Sequence, residues 1–299
     1  MVCAQFHLEC TERFESNISF VMPNTISFQG EPGAYSHQAC REMFPHMEVL
    51  PCTTFEGAVT AVKEGNACLA MLPVENSTYG RVADIHHLLP ETGLRIIAEH
   101  FVRVHIDLLG VPGAVLSGVE QAMSHTVLLG QCRSFLKANG ITPKTGADTA
   151  GSARHVAAAG DPLVAALASK LAGEIYGLEV LAEEIEDNAN NTTRFLVMAD
   201  GLQMPEAGST DTMTTIVFQV RNLPAALYKA MGGFATNGVN MVKLESYMLG
   251  GSFNATQFYA DIEGHPEDLP VRRALEELDY FTSKLEILGV YPQSPFRKS

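Results

Sequence analysis

ISFQGEPGAYSHQACREMF, residues 26–44, is the stretch from which the fold can be read. The apolar run at its start reads as a short strand, ISFQG (26–30). The Gly-Pro-Gly punctuation that follows reads as a turn, and GAYSHQACREMF (33–44) reads as a helix. The same alternation then repeats. EVLPC (48–52) is strand-like, TFEGAVTAVKEG (53–64) helical, ACLAMLPV (67–74) a buried strand and RVADIHHLL (81–89) the next helix. Strand followed by helix, repeated, argues a mostly parallel sheet of α/β type.

A second run of the same kind begins near Leu94. It opens on the β-rich RIIAEHFVRVHIDLLGV (95–111) and continues with a helix around VLLGQCRSFLKANG, in which Gln131 and Cys132 lie. A strand near TPKTGA, a helix from Thr149, the apolar LVAALAS (163–169) and the helix KLAGEIYGL follow. Two similar α/β lobes imply a cleft between them. Residues 1–24 show no period and read as an extension, which leaves 25–200 as the two-lobed region. Residues 201–211, rich in Gly, Pro, Ser and acids, read as a linker. From 212 to 293 the pattern changes. MTTIVFQV (213–220) alternates, with Ile216, Phe218 and Val220 on one face. A helix over about 224–237, strands over about 240–249 and 253–262, a helix over about 267–278 and a strand over about 284–291 complete the order βαββαβ. That is a ferredoxin-like unit.

Composition narrows the function. The formal net charge of -14 argues against nucleic acid as a partner. An anionic small molecule remains possible where local donors oppose the global field. The six cysteines form no C-x-x-C pair, and the second half of the chain has none, which reads as reduced thiols in a cytosol. The N-terminus lacks the apolar core of a secretory signal, and no apolar run approaches a membrane span, so a cytoplasmic protein without a membrane partner is expected.

In an α/β sheet, ligands sit outside the carboxyl ends of strands, at helix N-termini. Small hydrogen-bonding residues stand at these places: Ser36; Glu75, Asn76 and Ser77; Ser124; Asp148 and Thr149; and Ser169. Helix capping alone explains any one of them. Their repetition on both lobes, together with Arg194 at the mouth of an apolar strand in DNANNTTRFLVM (187–198), argues a cleft that binds carboxylates. Other candidates are weaker. His86 and His87 are adjacent, point about 100° apart on a helix, and read as surface or partly buried residues without a metal. No Cys/His spacing suggests zinc. Cys132, in an apolar helix, reads as a packed thiol rather than a nucleophile. QGEPGAYS matches no nucleotide-binding loop.

Taken in order, FQGEPGAYSHQA, LPVENSTYGR, SHTVLLGQC, DTAGSAR, ALASKLAGEIYGL and NTTRFLV resemble bacterial prephenate dehydratases over about 26–198, and the βαββαβ unit resembles the ACT regulatory domain of those enzymes. The resemblance implies a two-lobed catalytic region like a periplasmic binding protein, with prephenate as substrate and no cofactor or metal. It also implies a homodimer or homotetramer and feedback inhibition by L-phenylalanine. It gives Thr193, the threonine of T-R-F, the catalytic role with Asn76 and Gln131. Arg194 would hold a substrate carboxylate, with Glu75, Ser77, Ser124, Asp148, Thr149 and Ser36 around the substrate. The family's S-H-P is S-H-T here, with Thr126 in place of proline.

In the ACT-like unit, Asn222, Leu223, Pro224, Ala225, Ala226 and Leu227 would meet the effector's carboxylate, Glu245 and Ser246 its ammonium, and Leu223, Leu227 and Met241 its ring. Two departures stand out. Pro-Ala-Ala-Leu replaces P-G-A-L, and Glu-Ser-Tyr-Met replaces E-S-R-P. Two other functions remain open: an arogenate dehydratase, and an amino-acid sensor without chemistry.

Overall fold

The computed structural model describes residues 24–201, 204–221, 223–248 and 255–298. Asn222, Cys3, Cys10 and nearly all of the expected extension therefore lie outside the described residues. The chain forms two compact units. One comprises the residues up to Val82 together with His100–Phe195; the other comprises Ala83–Glu99 and Leu196 onward.

The first unit holds two sheets. In one, β1 (Thr25–Gln29) lies between β2 (Glu48–Cys52) and β3 (Leu69–Asn76), parallel to both, and the two-residue β4 (Gly80–Arg81) pairs antiparallel with the end of β3. β11 (Thr192–Ala199), whose first four residues belong to this unit, neighbours β3. Helices α1 (Tyr35–Met43) and α2 (Phe55–Lys63) are the crossovers. The Thr54 hydroxyl caps α2 by accepting from Gly57 N at 3.0 Å. Ile26, Phe28, Ala58 and Met71 are fully buried, as the alternation of apolar strand and amphipathic helix requires.

The other sheet has five strands: β6 (Asp107–Gly110), β7 (Gln121–Ser124), β8 (Thr142–Thr145), β9 (Val164–Ala168) and β10 (Glu179–Ala182), in the order β10-β6-β9-β7-β8. It is mixed rather than mostly parallel: β6 runs antiparallel to β9, and β10 antiparallel to β6. The expected helix carrying Gln131 and Cys132 is two short helices, α4 (Thr126–Gln131) and α5 (Arg133–Ala138), broken at Cys132, whose φ of -114° is not helical. α6 (Thr149–Ala159) and α7 (Lys170–Tyr176) pack on the opposite face, where Ala153, Val156 and Ala172 meet Leu109 and Ala166.

The turn after β1 joins the two sheets. Gly33 has φ +92°, and a Cβ there would lie 2.8 Å from the Ala172 backbone, so only glycine permits the approach. Ser169 Oγ donates to Gly33 O at 2.7 Å, and Tyr176 Oη donates to Pro32 O at 2.8 Å.

In the second unit the expected βαββαβ order is present. Its strands are β12 (Thr212–Val220), β13 (Met241–Met248), β14 (Ala255–Glu263) and β15 (Thr282–Pro292), with helices α8 (Ala226–Thr236) and α9 (Leu269–Phe281). The antiparallel order β13-β14-β12-β15 is that of the ferredoxin-like unit. Ile216, Phe218 and Val220 face the helices, as their spacing predicts. The opposite face carries polar groups. Thr215 Oγ1 donates to Asp261 Oδ1 at 2.6 Å and lies 2.7 Å from Tyr291 Oη.

α3 (Ala83–Leu88) belongs to this unit, and here the reading of His86 is corrected. It is fully buried, with its ring edge-on to Tyr259 at 4.9 Å and 6.0 Å from Tyr247. The imidazole body packs among aromatic rings as an apolar group would. β5 (Arg95–Arg103) contributes Glu99, whose buried carboxylate receives Arg297 Nε at 2.6 Å, Arg297 Nη2 at 2.8 Å and Ser294 N at 3.0 Å.

Candidate active site

The polar run before β11 is held against the end of β3 by hydrogen bonds. Ser77 N donates to Thr192 O at 2.8 Å, Ser77 Oγ donates to Asn190 O at 2.9 Å, and Thr192 N donates back to Ser77 Oγ at 2.9 Å. Successive strand residues face opposite ways, and this divides the site. On one face Asn76 Nδ2 donates to Thr193 Oγ1 at 3.0 Å and to Asn191 Oδ1 at 2.7 Å. Glu75 and Arg194 pair separately, Arg194 Nη1 to Glu75 Oε1 at 2.9 Å. The Arg194 side chain is 1% exposed and that of Glu75 29%. Thr193 and Arg194, neighbours in sequence, therefore serve different partners.

Asn76 Oδ1 accepts from Thr78 N at 2.9 Å and Tyr79 N at 3.0 Å, which closes the turn after β3. Tyr79 Oη then reaches Val127 O on α4, in the other lobe, at 3.4 Å. Gln131 is tied through its backbone to the residues that lead into the polar run, since its carbonyl accepts from Asp187 N at 2.6 Å. Its side-chain Oε1 is buried and makes no hydrogen bond among the described residues. A buried acceptor of this kind suits a ligand donor.

The remaining candidates are placed elsewhere. Ser124 Oγ is fully buried and donates to Leu167 O at 2.8 Å. Asp148 caps α6 by accepting from Gly151 N at 2.6 Å, and it lines a recess of about 300 Å³ with Arg154 and His155. Thr149 follows it as the first residue of α6, and Ser36 lies buried in the first turn of α1. No described hydrogen bond joins these four to Thr193. Asn191, 2% exposed and bonded to Asn76, is a residue the sequence reading did not single out.

His37 holds the glycine turn. Its Nδ1 accepts from Gly33 N at 3.0 Å, and its ring stacks on Phe28. Burial, and then the charge of Arg41, lower its pKa from the ordinary 6.5. The folded protein thus favours the neutral ring, while the unfolded chain takes up the proton more readily. The stability this gives is present above about pH 6.5 and is lost as the pH falls below it. In urea titrations the wild type should lose stability relative to His37→Gln between pH 7 and pH 5. Parallel pH profiles would show that His37 is not titrating in that range.

The four described cysteines form no disulfide. Cys132 is fully buried, and burial pushes its thiol up to about 12. Among the described residues no cluster of His, Cys, Asp or Glu could hold a metal ion, and no helix is long and apolar enough to cross a membrane.

Comparison with known proteins places this geometry. The sequence model of the family described as Prephenate dehydratase matches residues 26–202. A bifunctional N-acyl-homoserine lactone acylase/prephenate dehydratase of Komagataeibacter europaeus is 52% identical, over 91% of this chain and 97% of its own. The chloroplastic arogenate dehydratase/prephenate dehydratase 1 of Arabidopsis thaliana is 38% identical, over 91% of this chain and 73% of its own. The solved structure of a prephenate dehydratase from Arthrobacter aurescens in complex with L-Phe is 31% identical, covers 90% of each chain and superposes with a TM-score of 0.82. The fold is accordingly the two-lobed α/β type with a ferredoxin-like βαββαβ unit.

Proposed function

Since this chain belongs to the prephenate dehydratase family, we propose that it converts prephenate to phenylpyruvate, expelling carbon dioxide and water as the ring becomes aromatic. The observation that carries the reading is the bond from Asn76 Nδ2 to Thr193 Oγ1. Because the hydroxyl oxygen is already accepting, its proton is free to be donated. A donor aimed at the departing hydroxyl strengthens as charge builds on that oxygen. Thr193 is too weak an acid to give up a full proton early, so it acts as a positioned donor, and the departing oxygen leaves as water with a proton ultimately drawn from solvent.

Gln131 Oε1 offers an acceptor to the same substrate. Arg194 sets the position of Glu75 beside Asn76, and its expected role as a carboxylate anchor requires Glu75 to yield. Ser77, Ser124, Asp148, Thr149 and Ser36 remain proposed as surrounding groups. In this reading residues 25–200 are catalytic, need no cofactor, and work in the cytoplasm as a homodimer or homotetramer.

Arogenate, with an amino group in place of the keto group, is the second reading, supported by the name of the Arabidopsis relative. The test supplies each substrate separately and follows phenylpyruvate from prephenate and phenylalanine from arogenate. Turnover of arogenate alone would reverse the assignment. Binding without product would make the protein a sensor. The acylase activity named for the Komagataeibacter relative gains no thiol nucleophile here from Cys132 or Cys40, since burial raises both pKa values.

Residues 212–293 are proposed to bind L-phenylalanine as a feedback inhibitor, in keeping with the L-Phe complex of the Arthrobacter relative. Leu223, Pro224 and Ala226 line a recess of about 380 Å³ with Arg221, Lys229, Tyr280 and Phe281. Leu227 and Met241 instead pack on the domain core, and Glu245 pairs with Lys243 at 3.6 Å. Ala225, which stands where the family has glycine, has φ +59°. That left-handed conformation costs a non-glycine residue roughly 1–2 kcal/mol. Ala225→Gly should therefore stabilise the protein by about 1 kcal/mol and tighten L-phenylalanine binding in calorimetry of the full chain. Absence of heat from both proteins would remove the effector role.

A further inference from the structure

We propose that Asn191 is a positioning residue of the dehydratase site: it holds the Asn76 carboxamide so that Thr193 keeps its hydroxyl proton for the substrate. The inference rests on the reading of Thr193 as the leaving-group donor. Two backbone N–H groups, of Thr78 and Tyr79, donate to Asn76 Oδ1 and so turn Nδ2 toward β11. Nδ2 carries two protons. One goes to Thr193 Oγ1 at 3.0 Å, and the other goes to Asn191 Oδ1 at the shorter distance of 2.7 Å. Asn191, the residue just before β11, and Thr193 are two residues apart and both meet Nδ2, so a single amide serves both.

Asn191 is itself fixed. It is 2% exposed, and its carbonyl accepts from Val104 N at 2.9 Å. Without its side-chain oxygen, one amide proton of the half-buried Asn76 would lose its protein acceptor. The amide would tilt to recover one, and the bond to Thr193 would lengthen. A threonine hydroxyl released in this way rotates freely and donates to whatever acceptor lies nearest. The function of Asn191 is therefore to present an acceptor, which predicts an unusual order among substitutions. Aspartate, which keeps an acceptor in the same place, should serve better than alanine, although it buries a charge.

The experiment compares wild type, Asn191→Ala and Asn191→Asp by steady-state kinetics and by NMR of the ¹⁵N-labelled side-chain amide of Asn76 in the full-length protein. Asn191→Ala should lower kcat about tenfold or more with KM within about twofold. Asn191→Asp should recover most of kcat at neutral pH and lose it on an acid limb that the wild type lacks, as the carboxylate protonates. The Asn76 amide protons should be slow to exchange in wild type and Asn191→Asp, and fast in Asn191→Ala. An unchanged kcat in Asn191→Ala overturns the proposal, as does an aspartate variant no better than alanine. Slow amide exchange in a wild type that does not turn over prephenate would contradict the dehydratase reading and leave the orientation of Asn76 standing.

Discussion

Thr193→Ala should lower kcat for prephenate by about 10²–10³-fold, equivalent to roughly 2.7–4 kcal/mol of transition-state stabilisation, while KM changes little. The effect is large because the hydroxyl does its work only as the leaving oxygen gains charge. In the ground state it offers the substrate one ordinary hydrogen bond among several. Thr193→Ser keeps the hydroxyl and the Asn76 bond, and should retain most of the rate. It loses only the methyl group that restricts χ1. Equal losses in the alanine and serine variants would show that the threonine matters for packing rather than for donation.

Arg297→Ala should destabilise the protein by roughly 3–5 kcal/mol in urea denaturation. The Glu99 side chain is fully buried, and Arg297 grips it through two N–H groups at 2.6 and 2.8 Å. Removing the guanidinium takes two charge-assisted hydrogen bonds from a fully buried carboxylate. Glu99→Gln should be milder, because the remaining arginine is 20% exposed and can turn to solvent. A loss from Arg297→Ala of under about 1 kcal/mol, the size of a surface pair, would mean that the C-terminal segment opens easily.

Much of this architecture could be read from hydrophobic period. Ile26 and Phe28 are buried as an alternating strand predicts, and Ile216, Phe218 and Val220 meet the helices of their unit. β7 and β10 were harder to see. Each has four residues, and Gln121–Ser124 and Glu179–Ala182 mix small, polar and apolar side chains with no run long enough to show a period. The break at Cys132 comes two residues after Gly130, the poorest helix former in the run. Residue type suggests a polar surface for His86, whereas Tyr247 and Tyr259, more than 150 positions away, supply its pocket.

At the site, the motif order names candidate residues but not their partners. Adjacency in T-T-R suggested a donor beside an anion anchor. The strand's period of two sends Thr193 to Asn76 and Arg194 to Glu75 instead. The same period pairs Asn191 with Thr193, a signal present in the sequence and overlooked in a run of similar polar residues. Which acceptor completes the Asn76 amide depends on the meeting of two strands 115 residues apart, and no local pattern contains that.

This site is proposed to turn over prephenate through a hydroxyl donor. The most direct measurement is phenylpyruvate formation, followed by ultraviolet absorbance, on adding prephenate to the full-length protein in the presence of a chelator, with Thr193→Ala alongside. Stoichiometric phenylpyruvate from the wild type, with the chelator without effect and the variant slower by at least about a hundredfold, is the expected result. Prephenate that binds but is recovered unchanged, or equal rates from the two proteins, would contradict it.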